Sequence, residues 1–346
     1  MSKNTHGGDI YRHKNVTDYS SNCNPFGAPA GVVQAICDAA TEINHYPDVN
    51  ASQLREALSA HLGVSGDKIF FGNGAAEVIL DLVFALKPRR ALLTAPSFSE
   101  YGEALGAVGC DIKYHRLYEE KGFTIKEDIL DAITEDLDIM FVCNPNNPTG
   151  ALTEKVLMER IAHKCADIGV TLVVDECFMD FIEERARYSV QNELERFPNL
   201  VILKAFTKLY AMAGVRLGYC LSANSEIMEA LDHVRQPWNI SNLAQAAGVA
   251  ALQEEEYVAT SLAAIEAERV RLIASLEGLG LKVYGSNANY IFFQGPKDLY
   301  DKCLEKGFLI RDCSNYQGLG KGFWRIAVKL REENDRFMAA MEEILK

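Results

Sequence analysis

The chain has 346 residues, of which 48% are hydrophobic, so it exceeds what a single core usually serves and two domains are expected. Its formal net charge of −13 argues against the dense Lys and Arg surface that binds phosphate backbones, so no nucleic-acid partner is expected. No apolar run approaches the roughly 20 residues needed to span a bilayer, and the first residues lack a basic region followed by an apolar core. We therefore expect no membrane partner and a cytoplasmic location.

Nine cysteines occur without CxxC pairs or regular spacing, mostly within apolar runs, where a reduced thiol behaves as a small hydrophobe. Neither a disulfide framework nor a metal site is expected.

Apolar runs alternate with helical patterns through the middle of the chain, which is typical of a parallel sheet covered by helices on both faces. Helices are predicted at 75–86, 100–108 and 154–168, the last capped by Thr153. Strands are predicted at 68–71, 90–94, 111–115, 139–143, 171–175, 201–204 and 218–221.

The pattern changes after Trp238 to a long helical stretch that reaches Glu277, followed by short strands and a closing helix from Glu332. This indicates a smaller α+β domain. The first residues, rich in Asn, Gly and Ser, are typical of an arm outside the core. The expected division is an N-terminal arm at 1–25, a large domain at 26–235 and a small C-terminal domain at 236–346.

Two loops after predicted strands carry small or rigid residues. Gly74, Ala75 and Ala76 stand where a helix begins, so free backbone N–H groups and the helix dipole suit a phosphate. A tight turn that uses glycine for its backbone freedom explains this motif at least as well on its own. After the strand at 139–143, two prolines and a glycine form either a simple turn or a loop that aims Asn147 at a ligand.

Charged residues follow two further strands. Asp175 ends an apolar strand, so its carboxylate needs a cationic partner, either a protonated pyridine nitrogen or a nearby Lys or Arg. Lys208 is a candidate for a Schiff base, which requires partial burial and cationic neighbours. Thr207 and Arg216 could hold a phosphate through a hydroxyl and a planar guanidinium.

In this order and at these separations, the four segments resemble the aminotransferase class I/II family of fold-type-I pyridoxal-phosphate (PLP) enzymes. The resemblance implies an α/β PLP-dependent transferase fold, with a mostly parallel seven-stranded sheet between helices, and PLP as the cofactor. It assigns the Schiff base to Lys208, the contact with the pyridine nitrogen to Asp175 and the contact with the ring's phenolic oxygen to Asn147. The other matching cofactor positions are Gly74, Ala75, Ala76, Phe98 as the ring-stacking aromatic, Thr207, Arg216, and Tyr46 reaching the phosphate from the neighbouring subunit of a homodimer.

Two positions depart from the family pattern. Ala205 stands where many relatives place a Ser or Thr that binds the phosphate, which weakens one contact. Phe178 stands where many aminotransferases place a Tyr that donates to the phenolic oxygen, which should alter the electronics of the ring.

Within the family, the segments around His6, Asn22, Trp238 and Arg311 are similar to the L-threonine-O-3-phosphate decarboxylases of cobalamin biosynthesis. This implies decarboxylation of a phosphorylated amino acid, L-threonine O-3-phosphate, to (R)-1-amino-2-propanol O-2-phosphate. The expected substrate contacts are His6, Gly7 and Asn22, with Arg311 mainly for the phosphate and Arg325 for the carboxylate.

Each of these contacts has a plainer interpretation: a disordered terminus for the arm, a turn for Asn22, and solvated strand ends for the arginines. The open alternative is a histidinol-phosphate aminotransferase using 2-oxoglutarate and glutamate, which shares the cofactor motifs and also takes a phosphate monoester. PLP chemistry breaks the bond held perpendicular to its ring plane, so an arginine that holds the carboxylate in plane favours deprotonation. A non-catalytic PLP-binding regulator would need an additional DNA-binding module, for which the chain has neither spare length nor suitable charge.

Overall fold

The computed structural model of the chain describes residues 6–346. The helices, in chain order, are α1 (Ala30–Ala39), α2 (Ser52–Leu62), α3 (Ala75–Leu86), α4 (Glu100–Ala107), α5 (Ile129–Ala132), α6 (Lys155–Asp167), α7 (Phe206–Leu209), α8 (Ser225–Val234), α9 (Asn242–Ala251), α10 (Glu255–Gly278), α11 (Leu299–Glu305) and α12 (Arg331–Leu345). In this part of the chain, no helix is both long and apolar enough to cross a membrane.

The strands, in chain order, are β1 (Thr17–Asp18), β2 (Ile69–Gly72), β3 (Arg90–Ala95), β4 (Asp111–Arg116), β5 (Ile139–Cys143), β6 (Thr171–Asp175), β7 (Leu200–Ala205), β8 (Gly218–Ser222), β9 (Lys282–Tyr284), β10 (Tyr290–Gln294), β11 (Phe308–Leu309), β12 (Arg311–Asp312) and β13 (Phe323–Ala327).

Seven of these strands form the central sheet, in the order β2-β8-β7-β6-β5-β3-β4. The strands from β7 to β4 are parallel, whereas β8 runs antiparallel to both β2 and β7. The middle strands are buried along almost their whole length, as expected for a sheet with helices on both faces, which is why each reads as a continuous apolar run. The predicted α/β fold with a mostly parallel seven-stranded sheet is confirmed.

The carboxyl ends of the middle strands define one edge of this sheet. Cys143 and Asp175 are register partners at the ends of β5 and β6, and β7 runs directly into α7, which carries Lys208. Parallel pairing therefore brings residues from widely separated parts of the sequence to the same edge.

The C-terminal part contains an antiparallel sheet in the order β12-β13-β10-β9, and α10 packs against β9, β10 and α12. The predicted long helical stretch is interrupted there. It consists of α9, capped by the Ser241 hydroxyl, which accepts from the N–H of Ala244 (3.2 Å), and of α10. The break falls at Glu254, whose backbone (φ −89°, ψ 51°) is not helical, and apolar periodicity does not mark it.

The predicted cap of α6 is wrong. The residue before this helix is Glu154, and no side chain caps the helix. Thr153 is instead buried, and its N–H donates to Oδ1 of Asn144 (2.9 Å), because the segment is held against the loop that follows β5.

The expectation that the first 25 residues lie outside the core is wrong for the segment around Tyr19. β1 pairs in parallel with β11, and Tyr19 is fully buried with its ring stacked on Phe337 at 4.5 Å. Its hydroxyl donates to Oδ1 of Asn334 (3.1 Å). Polar residues of the arm find partners in several parts of the chain: Nδ2 of Asn24 donates to the carbonyl of Leu209 (2.8 Å), and the carbonyl of Asn22 accepts from Nδ2 of Asn289 (3.0 Å). The division into three domains stays a prediction.

Candidate active site

A cavity of about 370 Å³ opens at the carboxyl edge of the central sheet, between that sheet, the arm and the C-terminal part. Every predicted cofactor and substrate residue lines it except Gly74 and Tyr46: the lining set comprises His6, Gly7, Asn22, Ala75, Ala76, Phe98, Asn147, Asp175, Thr207, Lys208, Arg216, Arg311 and Arg325.

One end of the cavity is suited to a phosphate. Within residues 6–346, no side chain caps α3 and the N–H groups of Ala75 and Ala76 have no hydrogen-bond acceptor. Gly74 (φ +84°) lies beneath them, and a Cβ at this position would meet Nη2 of Arg216 at 2.5 Å, so glycine allows the guanidinium to approach. In the same range, Arg216 has no carboxylate partner and donates only to the carbonyl of Ala213 (3.0 Å).

Asp175 lies in the middle of the cavity with both carboxylate oxygens held by neutral donors. The hydroxyl of Tyr101 donates to Oδ2 (2.5 Å), and the N–H of Cys177 donates to Oδ1 (2.9 Å). The side chain is 5% exposed, and no Lys or Arg among the described residues forms an ion pair with it. The Lys or Arg partner that the sequence left open is therefore absent from this part of the chain, and a cationic ligand would complete the carboxylate's surroundings.

Glu176, the neighbour of Asp175, points away from the cavity. It is fully buried, and its carboxylate accepts from the Ser189 hydroxyl (2.7 Å) and the Val190 N–H (2.8 Å). Burial raises its pKa above the ordinary value. Glu176 therefore holds the loop at Ser189 and Val190 and does not face the cavity.

Lys208 is half-buried on α7, with Nζ 5.8 Å from the centre of the Phe178 ring. Across residues 6–346 its amine takes part in no hydrogen bond or ion pair. Phe178 itself packs edge-to-face on Tyr290 at 5.0 Å and presents no hydroxyl to the cavity. Ala205, the other departure from the family pattern, also lines the cavity with only a methyl group.

Asn147, in the loop after β5, contacts residues from the C-terminal part of the chain. Its Oδ1 accepts from Nη1 of Arg325 and from the hydroxyl of Tyr316 (3.3 Å), so its Nδ2 is left as a donor. Arg325 is 5% exposed and also donates from Nη2 to the carbonyl of Ser20 (2.8 Å). Its Nε is buried without an acceptor in the described residues, which leaves one donor for an anionic ligand.

Arg311 is held in a similar way beside Arg325, its register partner on the adjacent strand. It is 8% exposed, and Nη2 donates to Oδ1 of Asn315 (2.8 Å) while Nη1 donates to the carbonyl of Asp312. Its guanidinium lies 5.2 Å from the centre of the Tyr316 ring. Because both are buried, neither Arg311 nor Arg325 is a solvated strand-end arginine, and no carboxylate within residues 6–346 pairs with either.

The arm closes the cavity. The Ser20 hydroxyl accepts from the N–H of Gly8 (2.7 Å), and a Cβ on Gly7 would meet the carbonyl oxygen of Ser20 at 2.2 Å, so the glycine is needed for this close packing. Asn22 is 2% exposed, and its Oδ1 accepts no hydrogen bond from residues 6–346. Nε2 of His6 lies 3.0 Å from Oε1 of Glu100.

Tyr46 lies outside the cavity of its own chain. Its side chain is 79% exposed and stacks on Trp238 with ring centres 4.5 Å apart. This position agrees with a side chain that serves a different subunit.

Sequence reasoning missed Glu100 and Tyr101 at the start of α4 and Tyr316 near Arg311. Glu100 and Tyr101 follow Phe98, which was identified, so their place in the sequence was a usable signal. Their partners His6 and Asp175 are distant in sequence, and nothing in the local pattern indicates those contacts.

The residues fit PLP by their chemistry. Unpartnered amides and an arginine suit its phosphate, an acid without a cationic partner suits its pyridine nitrogen, an amine without a partner suits its aldehyde, and Phe98 offers an aromatic face.

Comparison with known proteins agrees with this geometry. A sequence model described as aminotransferase class I and II matches residues 14–341. The chain is 36% identical to threonine-phosphate decarboxylase of Salmonella typhimurium, covering 100% of this chain and 98% of that protein. It is also 36% identical to histidinol-phosphate aminotransferase of Desulfitobacterium hafniense, covering 97% and 94%.

Solved structures of two such enzymes also resemble this chain. Histidinol-phosphate aminotransferase from Clostridium acetobutylicum superposes with a TM-score of 0.89 at 31% identity, covering 94% of this chain and 98% of that one. L-threonine-O-3-phosphate decarboxylase from Porphyromonas gingivalis gives a TM-score of 0.85 at 25% identity, covering 94% and 98%. The chain belongs to the aminotransferase class I and II family, and its cofactor is pyridoxal 5′-phosphate.

Proposed function

We propose that this enzyme decarboxylates L-threonine O-3-phosphate to (R)-1-amino-2-propanol O-2-phosphate, a reaction of cobalamin biosynthesis, as a cytoplasmic homodimer. The position of the arm carries the proposal. His6 and Gly7 line the same cavity as Arg311, so a cation and a glycine backbone are available to a second phosphate in addition to that of the cofactor.

The charges around the cavity support a substrate with two anionic groups. Lys208, Arg216, Arg311 and Arg325 line it, against the carboxylates of Asp175 and Glu100. Although the whole chain has a net charge of −13, this cavity has more cationic than anionic groups, so it attracts anions.

Arg325 is the proposed partner of the substrate carboxylate. Its unpartnered Nε and the neighbouring Nη groups form the planar fork that suits a carboxylate, and its contacts with Asn147 and Ser20 fix the plane of the fork. Asn22 lies in the same part of the cavity and completes the proposed carboxylate pocket.

Bound PLP supplies an electron sink for the charge left when a bond to the substrate Cα breaks. Lys208 would hold the cofactor, and its amine is the group in this cavity that can return a proton to Cα. Asp175 would keep the ring nitrogen protonated, while the Nδ2 donor of Asn147 would meet the phenolic oxygen. Phe178 would leave that oxygen without a second donor.

A histidinol-phosphate-type aminotransferase is the second candidate, and one observation favours it. The hydrogen bond from Arg325 to Asn147 fixes the guanidinium beside the residue that would contact the cofactor, where it would hold a substrate carboxylate in place and leave the Cα–H bond as the one to break. Such a carboxylate favours removal of the Cα proton, for which the Lys208 amine is the available base.

Product analysis separates the two candidates. Purified enzyme with PLP is given threonine phosphate while CO2 is measured, and separately histidinol phosphate with 2-oxoglutarate while glutamate is measured. We expect CO2 release without any keto acid and no turnover in the Lys208→Ala variant. Glutamate formation without CO2 release would establish the aminotransferase instead.

A further inference from the structure

Tyr101 lies behind the cavity and contacts two of its functional side chains. It is 1% exposed, its hydroxyl donates to Oδ2 of Asp175 at 2.5 Å, and its ring meets Phe98 edge-to-face at 5.6 Å. The ring of Tyr101 also stacks on the ring of Phe141, with ring centres 5.0 Å apart and an interplanar angle of 18°. The hydroxyl is therefore held in place by packing on β5.

The hydrogen bond has a fixed direction. Burial, together with the nearby charge of Asp175, raises the pKa of Tyr101 well above 10, so the phenol stays protonated and donates throughout the neutral range. Asp175 is then always the acceptor. A donor of this kind stabilises the charged form of a carboxylate relative to the protonated form.

We propose that Tyr101 is a positioning residue for Asp175, which orients the carboxylate and keeps the shared proton on the ring nitrogen of the cofactor. The inference rests on the proposed role of Asp175. With Tyr101 and the N–H of Cys177 each occupying one oxygen, the carboxylate cannot rotate without losing a donor. With its orientation fixed in this way, Asp175 would stay opposite the ring nitrogen that it is proposed to keep protonated.

The test compares Tyr101→Phe with the unmodified enzyme, both loaded with PLP labelled with ¹⁵N in the ring and without substrate. We expect the ¹⁵N resonance to move towards that of unprotonated pyridine, and the dissociation constant of the cofactor to rise about tenfold, the effect of one lost hydrogen bond to a charged group.

Tyr284→Phe is the matched control. Tyr284 is also buried, and its hydroxyl donates to a carboxylate, Oε1 of Glu119, at 2.7 Å, but it does not line the cavity. This variant should leave the ¹⁵N resonance unchanged. An unchanged resonance in Tyr101→Phe, with circular dichroism confirming the fold, would overturn the proposal.

A double-mutant comparison separates positioning from packing. If Tyr101 acts through Asp175, Tyr101→Phe has no further effect on the resonance in the Asp175→Asn background. An equal change in both backgrounds would overturn the proposal. Because no substrate is present, these outcomes do not depend on whether the enzyme releases CO2 or transfers an amino group.

Discussion

Neighbouring residues control the charge of the His6 imidazole. Its hydrogen bond with Glu100 is the main cause that raises its pKa above 6.5, and the charges of Glu100 and Glu103 add to this. Partial burial and the charge of Arg311 act in the opposite direction. Since the net shift is upwards, the charged imidazole that the proposed phosphate contact requires is present below the raised pKa and is lost as the pH rises through it.

Replacing Glu100 by Gln should move the pH dependence of substrate binding to lower pH. Without the Glu100 carboxylate the pKa of His6 falls, so KM for threonine phosphate begins to rise earlier on the alkaline side, while kcat changes less. Steady-state kinetics of both enzymes are measured in identical buffers, so ionisation of the substrate phosphate affects both pH profiles equally. Glu103→Gln, a neighbour with a weaker influence on His6, should shift the profile less. Superimposable profiles for Glu100→Gln and the unmodified enzyme would contradict this role.

Some residues at strand ends carried a local signal in the sequence. Asp175 directly ends a wholly apolar strand, and Lys208 follows another, so each combines a chemical requirement with a local pattern. Tyr101 was missed because its significance lies in one contact across 74 positions of sequence. For Tyr46, no local pattern indicated a position outside the cavity of its own chain. That expectation came from the family resemblance alone.

At the scale of elements, β1 and β11 determine where the arm lies. The backbone N–H of Tyr19 donates to the carbonyl of Leu309 (2.8 Å), and its own carbonyl accepts from the N–H of Ala327 (2.8 Å). Asp18 accepts from both the N–H (2.8 Å) and the hydroxyl (2.6 Å) of Ser20, which shapes the turn that leads to Asn22. The arm, which carries part of the proposed substrate site, is therefore attached to the C-terminal part of the chain through Leu309 and Ala327.

Tyr19→Ala tests this dependence. Loss of the buried ring should cost about 3–5 kcal/mol in the free energy of unfolding, and KM for threonine phosphate should rise while cofactor affinity is retained. Tyr19→Phe keeps the stacking on Phe337 and loses only the hydrogen bond to Asn334, about 1 kcal/mol. Urea unfolding measures the free energy of unfolding, steady-state kinetics measure KM, and a PLP titration measures cofactor affinity. Equal losses of substrate and cofactor binding in Tyr19→Ala would show that the arm does not serve the substrate side alone.

Long elements were predictable and short paired ones were not. The bounds of β5 and β6 match the predicted strands because each contains an apolar run that polar residues delimit: Asp138 and Asn144 flank β5, and β6 runs from Thr171 to Asp175. β1 has two residues, and its partner lies about 290 positions later in the chain, so no local periodicity reveals it.

For the whole molecule, the exposed Tyr46–Trp238 pair bears on the proposed homodimer. In the proposed homodimer, another subunit would cover this aromatic pair, whose side chains are 79% and 47% exposed. If Tyr46 serves the cofactor phosphate of the neighbouring subunit, each cavity needs residues from both chains.

Subunit mixing tests this arrangement. Tyr46→Ala and Lys208→Ala homodimers should each be inactive at limiting PLP. Heterodimers formed by co-expression contain one cavity with both native residues, so a random mixture should recover roughly a quarter of the native activity. Sedimentation analysis verifies that dimers form. Absence of recovery in verified heterodimers would place Tyr46 outside the shared site.

The pairing of β1 with β11 has a consequence for exchanging parts between relatives. The arm and the C-terminal sheet form one hydrogen-bonded unit that carries His6, Asn22, Arg311 and Arg325, while Lys208 and Asp175 belong to the central sheet. A chimera that replaces only the arm, or only the C-terminal sheet, combines side chains from different proteins at the contacts between the two segments, such as Tyr19 with Asn334. If these four residues bind the substrate as proposed, a transfer of specificity between relatives requires both segments together.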